Sequence, residues 1–147
     1  MSRIHRTTVV LGLLSMLALA TAGPVAAVFS VIETDLTGPA IDGRTPRGTA
    51  TVDQSQLPAP GILELRISRV DLPDGTVLTV ELTDCASFSG SAVVGTVTLE
   101  RGRARATITL PSEPSVCQVG HNSSIFLKTA DGTIVLEGGS PWEVRQA

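Results

Sequence analysis

From Val28 onward the chain alternates apolar and polar residues in short runs, and no apolar period of 3.6 residues is sustained over even three turns. After Ile62, the residues Leu63, Leu65 and Ile67 fall on one side and Glu64, Arg66 and Ser68 on the other. Leu78, Val80 and Leu82 stand likewise against Thr79 and Glu81. A period of two puts one set of side chains in a core and the other in water, as in an antiparallel sheet with one wet face. Strands are predicted over Phe29–Leu36, Gly48–Asp53, Ile62–Val70, Thr76–Thr83, Val93–Glu100, Ala104–Leu110, Ser124–Thr129 and Thr133–Glu137, with Gly, Pro, Asp and Ser between them. Short strands at this density, about eight in roughly 110 residues, predict an all-β fold, an immunoglobulin-like antiparallel β-sandwich of about 7–8 strands.

Turn chemistry sets some of the registers. A two-residue turn at Arg101-Gly102 places Leu99 opposite Ala104 and Val97 opposite Ala106, with Glu100 beside Arg103 on the outside. A two-residue turn at Asp131-Gly132 places Leu127 opposite Leu136 and Thr129 opposite Ile134. The same construction fails at Asp74-Gly75, where it would set Arg69 against Val80 and Asp71 against Leu78. Face parity therefore breaks between Ile67 and Val70. Either a bulge near Ser68 and Arg69 or a connection crossing between sheets repairs it, and the crossing is expected. Pro58, Pro60 and Gly61 bound one loop, and Pro111, Pro114 and Gly120 bound another.

The chain opens differently. Arg3, His5 and Arg6 precede a stretch rich in Val and Leu that stays uncharged from Thr7 until Glu33. A basic segment, an apolar segment and small residues at Ala20-Thr21-Ala22 and Val25-Ala26-Ala27 are the parts of a secretory signal. Residues 1–22 are thus expected to form a signal helix, cleaved after Ala22 or Ala27, ahead of a single domain over residues 28–147. Left uncleaved, the stretch is long enough to anchor the chain in a membrane.

Without Arg3 and Arg6, 9 of the 11 basic residues remain against 14 acids, a net charge of −5. That balance and the single lysine, Lys128, argue against a nucleic-acid partner, since phosphate backbones are held by clustered cations. The aromatic set is Phe29, Phe88, Phe126 and Trp142, too small for a stacking platform. Trp142 is expected to cover an edge of the core.

Candidate chemistry is sparse. Cys85 and Cys117 are an even pair in a chain read as exported, so a disulfide is expected, with Cα atoms within about 7 Å. The bridge would tie the loops at 86–92 and 112–120 to one end of the domain and make that end the ordered place for a binding surface. His121, in the polar turn Val119–Ser124, is the one histidine beyond the leader and could serve a hydrolase only if the fold brings a serine and a carboxylate to it. Asp42, Asp71 and Asp74 could offer carboxylates to calcium, but Asp-Gly pairs are turn formers first. Arg101, Arg103 and Arg105 lie at a spacing of two and would line one strand face, either as an anionic contact or as a solvated face paired with Glu100. Asn122-Ser123-Ser124 is a glycosylation acceptor pattern.

The runs Leu36–Gly38 and Gly48–Ala50, then Leu72–Val80, then Val94–Leu99 resemble small exported bacterial β-domains of uncharacterised function. The opening Leu36–Ala50 also resembles CHRD domains, from which the chain departs in lacking their histidine-containing segment. Neither resemblance implies a catalytic residue. The expectation is an exported, non-enzymatic binding or structural module in the periplasm, at the envelope or outside the cell. It would have a protein or envelope component as partner, no cofactor and no metal, and the alternative is a secreted hydrolase assembled around His121.

Overall fold

A computed structural model describes residues 31–56, 58–85, 90–112 and 117–145. The leader, its two cleavage positions, Phe29 and Phe88 lie outside the described residues. The described chain is all strand and turn: β1 (Val31–Thr37), β2 (Arg47–Asp53), β3 (Ile62–Ser68), β4 (Val77–Thr83), β5 (Ser91–Thr98), β6 (Ala104–Thr109), β7 (Ser124–Lys128), β8 (Ile134–Gly139) and β9 (Glu143–Val144). The predicted strands match β1 to β8 to within a few residues at each end. The short β9, exposed at both residues, carries no alternation to read.

Hydrogen bonding runs through one antiparallel sheet in the order β5-β4-β7-β8-β1-β2-β3-β6, with β9 added on β1. This differs from the two separate sheets of the expected sandwich. The continuity lies at a narrow seam, where Leu36 pairs with Gly138 and Thr37 with Glu137. Farther along, the same edge of β1 passes to β9, with Ile32 opposite Val144 and Glu33 opposite Glu143. Glycine makes the seam possible: a Cβ on Gly138 would sit 2.4 Å from the carbonyl oxygen of Asp35. Alternation cannot report such a backbone approach, so the strand pattern alone did not distinguish two sheets from one.

At the other end of the order, β5 and β6 close the sheet almost into a barrel. Glu100 and Arg103 exchange both backbone bonds, at 2.8 and 3.0 Å, around Arg101 and Gly102, whose φ angles of 51° and 69° are those of a two-residue hairpin turn. Beyond this tip the expected ladder stops. β5 pairs with β4, and β6 pairs with β3. The space between β5 and β6 is bridged by side chains, since a Cβ on Gly95 would meet Ile108 at 3.0 Å. The second hairpin keeps Leu127 opposite Leu136, but Lys128 then faces Ile134, because Val135 is an extra, inward-turned residue in β8. The expected facing of Thr129 and Ile134 is therefore shifted by one.

The parity change between β3 and β4 falls in a connection between non-adjacent strands of one sheet, not in the expected crossing between two sheets. The two strands do not pair with each other, and Arg69 at a φ of 62° redirects the chain so that Val70, like Ile67, is buried. Leu36, Ala50, Val52, Leu63, Leu65 and Ile67 meet Leu78, Val80, Leu82, Ile125, Leu127 and Leu136 in the interior. Hydrocarbon fills the barrel, so surfaces for recognition lie on its outside.

One end is cross-braced. Cys85 and Cys117 form a disulfide with Cα atoms 5.3 Å apart. Gln54 clamps the following loop by donating to the Val119 carbonyl at 2.8 Å and accepting from the Val119 amide at 3.0 Å. The buried Ser123 donates to the Asp84 carbonyl and accepts from the Gly120 amide, both at 2.9 Å. Trp142 is buried and donates its indole N–H to the Ser123 carbonyl at 2.9 Å.

Candidate functional site

Alternation on β2, β3 and β6 turns their polar residues outward, and the registers decide which of them become neighbours. Thr49 lies opposite Arg66, and Arg66 lies opposite Arg105. Arg47 lies opposite Ser68, and Arg103 follows one residue before Ala104, the partner of Ile67. Two rows result across three strands, Arg47–Ser68–Arg103 with its hydroxyl in the middle and Thr49–Arg66–Arg105 with its hydroxyl at one end. All six residues, with Asp35 and Glu100, line an outer concavity of about 700 Å³, and Asp35 lies opposite Thr49 at the end of the second row. No aromatic residue is among those lining it.

Three distant segments supply these arginines, which is why only Arg103 and Arg105 drew notice in the sequence. Arg47 and Arg66 carried a signal only in hindsight: each is a cation on the wet face of its strand, and strand order alone brings them beside β6. Arg101, their expected companion, is not among the residues lining the concavity, and its backbone N–H donates to Asp74 Oδ1 at 2.6 Å.

Electrostatically the face is unbalanced. Ion pairs among the described residues join Arg44 to Asp71, Lys128 to Glu81 and Arg145 to Glu33, and none takes up Arg47, Arg66, Arg103 or Arg105. The expected side-chain pairing of Arg103 with Glu100 is not among them. Arg66 and Arg105 sit directly opposite each other on neighbouring strands, an arrangement of like charges that destabilises a sheet. The site also lies away from the braced end. Its arginines cluster near the Glu100–Arg103 turn and the start of β2, whereas Cys85 and Cys117 sit where β4 and β6 finish. The expected link between the disulfide and a binding surface thus does not describe this concavity.

The remaining candidates have other employment. His121 is exposed on the turn before β7 and does not line the arginine concavity. Ser123, two residues on, is buried with its hydroxyl engaged by backbone on both sides. Asp71 faces Arg44 at 3.8 Å, Asp74 caps the Arg101 amide, and Asp42 occupies a turn in which Ile41 and Arg44 exchange backbone bonds. Among the described residues no group of three or more His, Cys, Asp or Glu side chains could hold a metal ion. Asn122 is exposed beside His121. On the opposite half of the sheet, Lys128 donates to Glu81 at 2.8 Å, and this bond, seconded by Ser91, holds the Glu81 carboxyl below the ordinary carboxylate range. Comparison of the chain with models of protein families, with curated proteins and with solved structures found no match.

Proposed function

We propose that the chain is an exported, non-enzymatic binding module of the kind represented by small exported β-domains, and that its ligand docks on the outer face of β2, β3 and β6. The observation that carries this reading is the gathering of Arg47, Arg66, Arg103 and Arg105 with no ion pair among the described residues to neutralise them. Placing guanidinium groups side by side costs stability, and a partner that supplies the missing negative charge offsets that cost. The leader expected over residues 1–22 and the Cys85–Cys117 bridge both suit an oxidising compartment outside the cytoplasm.

Hydrogen exchange tests the location of the site. Purified domain mixed with envelope extract should gain protection at 47–49, 66–68 and 103–105, and Arg66→Glu should abolish the gain. Protection centred on 119–124, or turnover in a hydrolase panel that His121→Ala removes, would overturn the reading in favour of an enzyme.

A further inference from the structure

The rows of the arginine face carry an inference about ligand class that rests on the binding-module reading. We infer that this face binds ligands bearing at least two phosphate or sulfate groups, one group to each row. Each row contains two arginines and one hydroxyl, Ser68 in the first and Thr49 in the second. A single guanidinium fork satisfies both oxygens of a carboxylate. Two forks and a hydroxyl in one row, with Ser68 between Arg47 and Arg103 in the first and Thr49 beside Arg66 in the second, offer a third donor beyond the pair that a carboxylate uses, which suits the three free oxygens of a phosphate or sulfate ester. Ser68 Oγ is available for this, since it donates only to the Arg47 carbonyl, at 3.5 Å.

Spacing argues for more than one group. The rows are separated by two residues along each strand, about 7 Å, and each row spans two inter-strand gaps, about 10 Å. A lone oxyanion can engage one row and leaves the other uncompensated. A ligand with two linked groups engages both and gains from the effective concentration of the second. Among the residues lining the concavity there is no ring on which a base or sugar could stack, so charge and hydrogen bonding carry recognition. Asp35, directly opposite Thr49, and Glu100 also line the concavity, so binding centres on the arginines away from these two carboxylates.

Titration calorimetry on the full mature domain at low salt tests this with five probes: tripolyphosphate, a sulfated tetrasaccharide, inorganic phosphate, polyglutamate and a single-stranded oligonucleotide. Tripolyphosphate or the sulfated sugar should bind at least tenfold more tightly than inorganic phosphate, and which of the two binds better identifies the source of the groups. Arg66→Gln/Arg105→Gln should weaken that binding at least tenfold, while Arg44→Gln, whose residue pairs with Asp71 outside the face, should change it less than twofold. The same double variant should melt at or above the temperature of the parent in ligand-free buffer, because the opposed charges are gone. A merely structural role for the arginines would lower that temperature.

Polyglutamate bound more tightly than tripolyphosphate, and lost in the arginine variant, would overturn the phosphate or sulfate class while keeping the face as the site. Equal binding of tripolyphosphate by parent and variant, or binding to none of the probes, would overturn both. A single-stranded oligonucleotide bound more tightly than either phosphate probe would reassign the face to nucleic acid.

Discussion

Removing the bridge between Cys85 and Cys117 is the most quantitative test of how this fold is held. The cysteines are 32 residues apart, so the bridge removes loop-closure entropy from the unfolded chain worth about 3.7 kcal/mol at 25 °C in the chain-entropy description. In the folded state the same loop stays positioned without the bridge, because Gln54 grips Val119 and Trp142 grips Ser123. The loss in Cys85→Ala/Cys117→Ala therefore falls mainly on the unfolded side. Urea unfolding followed by the fluorescence of Trp142, the one tryptophan, should show a loss of about 3–4 kcal/mol with a steeper denaturant dependence, because the freed chain exposes more surface. The thermal midpoint should fall by about 15 °C, at about 4 °C per kcal/mol for a domain of this size. Tripolyphosphate affinity should stay within twofold, since the arginine face lies at the other end. A loss below about 1 kcal/mol at unchanged steepness would refute the chain-entropy argument, because the unfolded chain would then already hold the two segments together.

Ser123→Ala removes a buried hydroxyl that satisfies both the Gly120 amide and the Asp84 carbonyl, and should cost about 1–3 kcal/mol in the same urea assay. Gly102→Ala meets both a φ of 69° and a Cβ position 2.7 Å from the Val70 carbonyl oxygen, whereas Gly43→Ala meets a φ of 79° in open space. The first should destabilise by about 2 kcal/mol and the second by about 1, and equal losses by thermal melting would count against the crowding at Val70. Glu81 has a folded pKa below its ordinary value of 4.5, so the stability it contributes is present above that value and is lost as pH falls through the folded one. The deficit of Glu81→Gln relative to the parent, about 0.5–1 kcal/mol at pH 7, should shrink between pH 5 and pH 3, and a pH-independent deficit would contradict the assignment.

Strand positions were legible because each strand repeats one instruction at every second residue. Leu63, Leu65 and Ile67 cannot all be buried in any conformation but an extended one. At two places where that instruction stutters, the structure bulges. Val93-Val94 and Ile134-Val135-Leu136 place apolar residues in succession, and the registers slip at Val94 and Val135. Succession alone does not locate a slip, since Ile125-Phe126-Leu127 in β7 pairs with β4 in unbroken register. Strand order was another matter. It depends on which edge meets which, and the decisive groups are backbone atoms at Gly138 and a side-chain packing at Gly95, neither of which perturbs the alternation.

The arginine face escaped the sequence for a related reason. The charge of −5 beyond the leader weighed against a nucleic-acid partner, yet a sum over the chain carries no position. At physiological ionic strength charges farther away than about 8 Å are largely screened. The two rows occupy about 10 Å by 7 Å of sheet, so an anion seated there responds to Arg47, Arg66, Arg103 and Arg105 against Asp35, Glu64 and Glu100, a local excess of positive charge. Elsewhere Glu81, Glu33 and Asp71 are paired with Lys128, Arg145 and Arg44. Net charge then governs long-range encounter at low salt, and strand register governs what is held on contact. For a sheet protein, the exclusion of a ligand class from composition is safe only once the registers are known. Residues as distant as Arg47 and Arg105 become neighbours through pairings that no local pattern announces.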